Sequence, residues 1–276
     1  MKLSVSVTAL LFLGIICLSK ADEIDPKVIL QKSAEATSQL KSYKADMLIE
    51  SFASLAPQKG VIYQKKQPDG TMTMRMEMNL LNTAVGSGAT NNTPTLGTNY
   101  TLISSQGAYT VMGNKALKMD GMPGMDKLKD IMNPDALKKA TEDAQSAQVN
   151  YTLTNGVVDA RECWVISIPT SPATLDAVKK AMSQGAQKEL LAAAKMRLDA
   201  IPMPVKMVIS IDKQTYLIAK QESLDSNNIV ISSTTFQNAQ PNVEVSDQLF
   251  KLPDNINIEN MNSIMQNALK TLNSTK

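Results

Sequence analysis

No histidine occurs in the 276 residues. Its absence removes the commonest general base, the usual zinc ligand and every histidine-dependent catalytic triad. Cysteine is almost missing too: Cys17 and Cys163 are the only two. Cys17 falls in a segment expected to be cleaved, so no internal disulfide is expected, and Cys163 reads as a small buried strand residue. The chain carries no Gly-rich phosphate loop and no Cys-x-x-Cys, and neither a Ser-x-x-Lys arrangement nor a pair of carboxylates is singled out to replace them. Neither an enzymatic activity nor a cofactor is expected. Aromatic residues make up only 4% of the chain against 43% hydrophobic, so a core of this size must be built from aliphatic and thioether side chains.

Long apolar runs are scarce as well. Only Val5 to Leu18 forms one, after Lys2 and before the small-x-small site Ser19-Lys20-Ala21. This reads as a secretory signal over 1–21, and no later segment approaches the ~20 apolar residues of a membrane helix. An exported, periplasmic protein beginning near Asp22 is expected. The alternative, a lipid anchor at Cys17, is disfavoured by Ile16, where a lipobox wants a small residue. Removal of Lys2 and Lys20 lowers the 28 basic residues to 26, equal to the 26 acidic ones. A formally neutral chain has no broad positive field for nucleic acid, and a monomer is expected.

What the chain has in abundance is methionine, 17 residues. Thr71-Met72-Thr73-Met74-Arg75-Met76-Glu77-Met78 alternates strictly, which predicts a strand with Met72, Met74, Met76 and Met78 on one face. The other face, with Thr73, Arg75 and Glu77, is expected to be wet, and Arg75 with Glu77 to be a solvated pair worth little to stability. Core strands favour branched and aromatic side chains. Unbranched, polarisable methionines instead form a lining that re-packs around different shapes.

The remaining chain supplies this strand with neighbours. Asp25-Pro26 starts a helix to about Leu40, with Val28, Ile29, Ala36 and Leu40 apolar. Strands follow at 43–52 and 60–66, with Pro68-Asp69-Gly70 turning into the methionine strand. A loop is expected at 82–98, then strands near 99–105 and 108–113. After Pro123, Met125, Leu128 and Met132 fall on one helical stripe. A second short helix at 135–145 completes a pair that could cover a sheet. Strands at 147–154 and 161–168, with Trp164, Ile166 and Ile168 sharing a face, precede an alanine-rich helix at 172–199. Strands at 205–212, with Ile209 and Ile211 on one side, 216–223 and 228–236 lead to a final amphipathic helix. The order predicts one α+β domain over 22–276, a curved antiparallel sheet with helices on one face.

Val208-Ile209-Ser210-Ile211-Asp212, Ile218-Ala219-Lys220-Gln221-Glu222, Ile231-Ser232-Ser233-Thr234-Thr235-Phe236 and Phe250-Lys251-Leu252-Pro253 resemble the closing strands of LolA-type periplasmic lipoprotein carriers. Arg75-Met76-Glu77-Met78 is similar to that family's Arg-aromatic-acidic-aromatic run. The resemblance implies an unclosed β half-barrel under a helical lid, with an apolar cavity that shields acyl chains crossing an aqueous compartment. It implies a carrier or chaperone for lipid or lipoprotein acyl chains, bound for an outer membrane, served by a membrane-bound donor or acceptor protein. Two departures stand out. Lys66-Gln67-Pro68 replaces the family's lid-holding arginine before the proline, and lysine lacks the planar fork. The helix at 172–199 is an insertion relative to a minimal carrier, which extends the expected cargo to other lipids.

The expected cavity is lined by Met47, Ile49, Ile62, Met72, Met74, Met76, Met78, Trp164, Ile209 and Ile211, under a lid of Met122, Met125, Leu128 and Met132. Two other readings compete. A sensor of the same fold would bind the same ligands. Met119, Met122 and Met125, spaced by three, could hold Cu(I), which thioethers favour; packing along the helix stripe explains the same residues.

Overall fold

A computed structural model describes residues 24–52, 56–79, 99–119, 150–172, 175–176, 202–261, 263–264 and 267. The expected loop at 82–98, the lid helices and nearly all of the helix at 172–199 lie outside the described residues.

Helix α1 (Pro26–Ser38) starts where the sequence predicts. The Asp25 carboxylate accepts from the Lys27 amide at 2.8 Å, and Pro26 occupies the first turn, where its missing N–H costs nothing. Ile29 is buried, whereas Val28 is 44% exposed and does not join the apolar stripe as expected.

The first run of strands comprises β1 (Ser42–Ser51), β2 (Gln58–Lys66), β3 (Met72–Asn79), β4 (Tyr100–Ser104), β5 (Gly107–Met112) and β6 (Lys115–Lys118). The second comprises β7 (Thr152–Val158), β8 (Arg161–Pro169), β9 (Lys206–Asp212), β10 (Ile218–Leu224) and β11 (Val230–Pro241), and β12 (Asn257–Asn260) ends the set. All twelve form one curved, unclosed sheet in the order β12, β6, β5, β4, β3, β2, β1, β11, β10, β9, β8, β7. The chain starts at the centre, walks to one edge, restarts at the other edge and walks back until β11 pairs with β1. Pairing is antiparallel except for β12 on β6, which is parallel. Among the described residues the expected curved antiparallel sheet is found and strand predominates, and β6 and β12 are additions. Each is only four residues long, too short to show a period.

One predicted strand shifts. Instead of 147–154, β7 runs through Asn155-Gly156, a dipeptide that resembles a turn. A Cβ on Gly156 would lie 2.7 Å from Val165 Cγ2, so here glycine serves close strand approach. The hairpin turns at Asp159-Ala160, with φ of 50° and 61°, the geometry of a type I′ turn. Alanine in that region is strained by roughly 1–2 kcal/mol. Ala160→Gly is therefore expected to raise the unfolding free energy by about 1 kcal/mol, read from the urea midpoint at unchanged m-value.

α1 lies on one face of the sheet and joins two clusters there. Ile29 packs with Ile166, Ile209 and Ile211, and Ala36 with Leu40, Tyr43, Ala45, Met47 and Ile62. The opposite face carries a strap. From the end of β11 the chain crosses β1 to β6 before entering β12. The Ser42 hydroxyl donates to the Val243 carbonyl, Lys65 Nζ to Val245 O at 2.9 Å, and Arg75 Nη1 to Leu249 O at 3.0 Å. Phe250, Leu252 and Ile256 then pack on Tyr100, Leu102, Tyr109, Val111 and Ala116.

Candidate functional site

The strap corrects the reading of β3. Its Thr73, Arg75 and Glu77 face is not wet: Thr73 is 3% and Arg75 8% exposed. Nor is Arg75 with Glu77 a solvated pair. The Arg75 guanidinium lies 3.5 Å from the Tyr100 ring centroid, donates from Nε to Glu77 Oε1 at 2.8 Å and reaches the strap carbonyl. Its charge is spread over a fork and an aromatic face, arrangements guanidinium favours.

The methionine face lies with α1. Met72, Met74, Met76 and Met78 are only partly buried. Met74, Met76 and Met78 pack against the Tyr43–Ile62 cluster, and Met72, Met74 and Met76 also against Ile103 and Ala108. The stripe therefore bridges two small cores. Gly60 sits opposite Met78, where a Cβ would run into the Glu77 carbonyl oxygen and Met78 Sδ.

Strand register shows what surrounds the stripe. Tyr43, Ala45, Met47 and Ile49 of β1, Gly60, Ile62 and Gln64 of β2, Thr101 and Ile103 of β4, and Ala108 and Thr110 of β5 share its face. Every charged residue of β1 to β5 except Lys66 points the other way: Lys44, Asp46, Glu50, Lys59, Lys65, Arg75 and Glu77. Lys66 stands at the end of β2, and its Nζ donates to Ser38 O at 3.2 Å. A cation at the C-terminal end of α1 is favourably placed in the helix field. The lysine makes a single contact to α1 in place of a forked one.

All ten residues expected to line a cavity stand on this face, in two groups. Met47, Ile49, Ile62, Met74, Met76 and Met78 gather around α1's C-terminal end, with Met72 alongside. Trp164, Ile209 and Ile211 gather around Ile29. Met47, Ile62, Ile209 and Ile211 are core residues, leaving the four stripe methionines, Ile49 and Trp164 partly accessible. The lid residues Met122, Met125, Leu128 and Met132 lie outside the described residues. Of the Cu(I) alternative only Met119 is described. Its sulfur accepts from Thr110 Oγ1 at 3.4 Å and it packs on Ile103 and Ala108.

Tyr43 anchors the cluster beneath α1, and burial pushes its phenol up to about 12, against a smaller opposing pull from Arg161. The neutral phenol is the folded form, so its contribution is fully present below pH 10 and is lost as pH rises through 12. A shift of about two units corresponds to roughly 3 kcal/mol. Tyr43→Phe should remove that fall: the stability difference between the two proteins, constant below pH 9, is expected to move in the variant's favour by about 2 kcal/mol at pH 12 in denaturant titrations.

One concavity among the described residues escaped the sequence. A cleft of about 780 Å³ opens beneath the strap, lined by Gln67, Asp69, Thr73, Tyr109, Phe250 and Leu252 among others. Its walls come from two turns that the sequence marks, at Pro68-Asp69-Gly70 and Gln106-Gly107, and from a strap that carries no periodic signal. Polar groups of these turns interrupt the cleft.

The chain is similar in fold to a LolA superfamily protein. That structure, from Nitrosomonas europaea, shares 8% identity at a TM-score of 0.31, with 82% of this chain and 97% of that one covered. An uncharacterized conserved protein from Thermus thermophilus gives 11% identity and a TM-score of 0.47, covering 85% and 98% of the two chains. LprF from Mycobacterium bovis gives 16% and 0.43, covering 83% and 96%. No family model matches the chain, and no curated protein matches it. The likeness is one of fold, and the functional reading rests on the chain's own faces.

Proposed function

We propose that this protein is an exported, non-enzymatic carrier that holds lipid or lipoprotein acyl chains against its methionine face and delivers them across an aqueous compartment toward an outer membrane. One observation carries the reading: across five neighbouring strands the methionine-bearing face holds no charged side chain but the terminal Lys66, and its central stripe remains only partly buried. Six residue steps of β3 set the four thioethers along about 20 Å, a length on the scale of an extended acyl chain. Ten methylenes seated there would gain on the order of 8 kcal/mol before immobilisation costs. In this reading the segment containing Met122, Met125, Leu128 and Met132 closes over the stripe as a lid, and a membrane-bound donor or acceptor protein loads or unloads it. Native mass spectrometry of protein purified from its own host tests the proposal. Bound acyl lipid supports it; an apo protein that takes up Cu(I) tightly and ignores lipid contradicts it.

A further inference from the structure

The sheet has two outer strands, β12 and β7, and they are protected very differently. β12 is four residues long and carries Glu259, which pairs with Lys115 at 3.0 Å. β7 is seven residues, Thr152-Leu153-Thr154-Asn155-Gly156-Val157-Val158, without a charge or a proline. Edge strands are ordinarily blunted by lysine, proline or a bulge, because their outward N–H and C=O groups template another strand. β7 pairs with β8 in unbroken register over all seven residues, and among the described residues no strand lies on its outer side. Val157 is 69% exposed, on the face it shares with Leu153 and Trp164.

We propose that β7 pairs with β7 of a second copy of this chain, antiparallel about a two-fold axis at Asn155. The outward backbone groups require an extended polypeptide as the occupant. An uncharged strand meets its own copy without repulsion, and an antiparallel two-fold pairing places the same segment on both sides. With Asn155 on the axis, Leu153 of each copy stands opposite Val157 of the other. Both exposed valines gain a cross-strand apolar partner, the kind of pair that stabilises a sheet. The small Thr154 and Gly156 meet on the other face. The dimer departs from the expected monomer. It rests on the edge alone and leaves the methionine stripe, seven strands away in the sheet order, uncovered.

The test uses the exported chain with Cys17, where retained, replaced by serine. Cys163 is fully buried and does not compete for oxidant. In an antiparallel pair the axial residue faces itself with Cα atoms about 4.5–5.5 Å apart, within disulfide reach. Asn155→Cys should cross-link into a covalent dimer under mild oxidation. Thr152→Cys, whose two copies would stand about 20 Å apart, should not. By sedimentation velocity the parent chain should shift from monomer to dimer with rising concentration, and Val157→Lys should weaken that association at least tenfold. A parent chain that stays monomeric at millimolar concentration overturns the proposal. So does equal cross-linking at positions 152 and 155, or a dimer that persists in Val157→Lys without cross-linking at 155. Capture of a different protein's strand by β7 in place of self-association would likewise contradict it.

Discussion

Arg75→Ala is expected to lower the unfolding free energy by about 3 kcal/mol, a large share of the 5–15 kcal/mol that holds a typical domain. The arginine is the point at which the strap meets the sheet. Its removal leaves the Leu249 carbonyl without its donor, exposes one face of Tyr100 and strips Glu77 of its ion partner. Breaking a fully buried pair costs 3–5 kcal/mol. The Glu77 side chain keeps 31% of its surface, so part of its charge is solvated and the value falls at the lower end. Arg75→Lys should recover only part of the loss, because an ammonium cannot serve the carboxylate, the carbonyl and the ring together. Urea denaturation measures both variants, and proteolysis between residues 243 and 256 should accelerate in Arg75→Ala. A loss under 1 kcal/mol would show that the strap is held by Phe250, Leu252 and Ile256 alone.

The second large effect concerns the opposite face. Met74→Glu with Met76→Glu should reduce acyl-lipid affinity on the order of 100-fold, about 2.8 kcal/mol. Two carboxylates would stand in the middle of a field that otherwise has no charge, and each would have to be desolvated when a hydrocarbon chain settles on it. Both positions are partly buried, which lets the glutamates reach water in the free protein, so the fold should persist by circular dichroism. Met74→Leu with Met76→Leu should retain binding. Lys44→Glu, on the strap face, should leave affinity unchanged. Undiminished uptake in the double glutamate variant, titrated with a fluorescent fatty acid, would place the lipid elsewhere.

These two substitutions also mark where the sequence is legible and where it is not. The alternation at 72–78 is a local signal, since the side-chain period of a strand places all four methionines on one face whatever the rest of the chain does. Which face is the wetter one is not local. Thr73 and Arg75 look solvent-facing until residues 243–256 arrive from some 170 positions away and cover them. Asp25-Pro26 announces α1 because capping is local chemistry. The strand expected to end at 154 runs on through Asn155-Gly156, because glycine answers both a turn and a close strand approach, and only Val165 distinguishes them. β6 and β12 hold four residues each, and β12 is placed by its run alongside β6, a long-range pairing that four residues do not encode. Lys66 was legible as a change from arginine, but its contact with Ser38 depends on where α1 ends.

Photolabelling with a long-chain fatty acid that carries a diazirine along its tail locates the bound hydrocarbon directly. After irradiation and digestion, labels are expected on Met72, Met74, Met76 and Met78 and on the neighbouring Ile49, with little on β10 or the strap. Labels concentrated on Tyr109, Phe250 and Leu252, in the cleft beneath the strap, would contradict it.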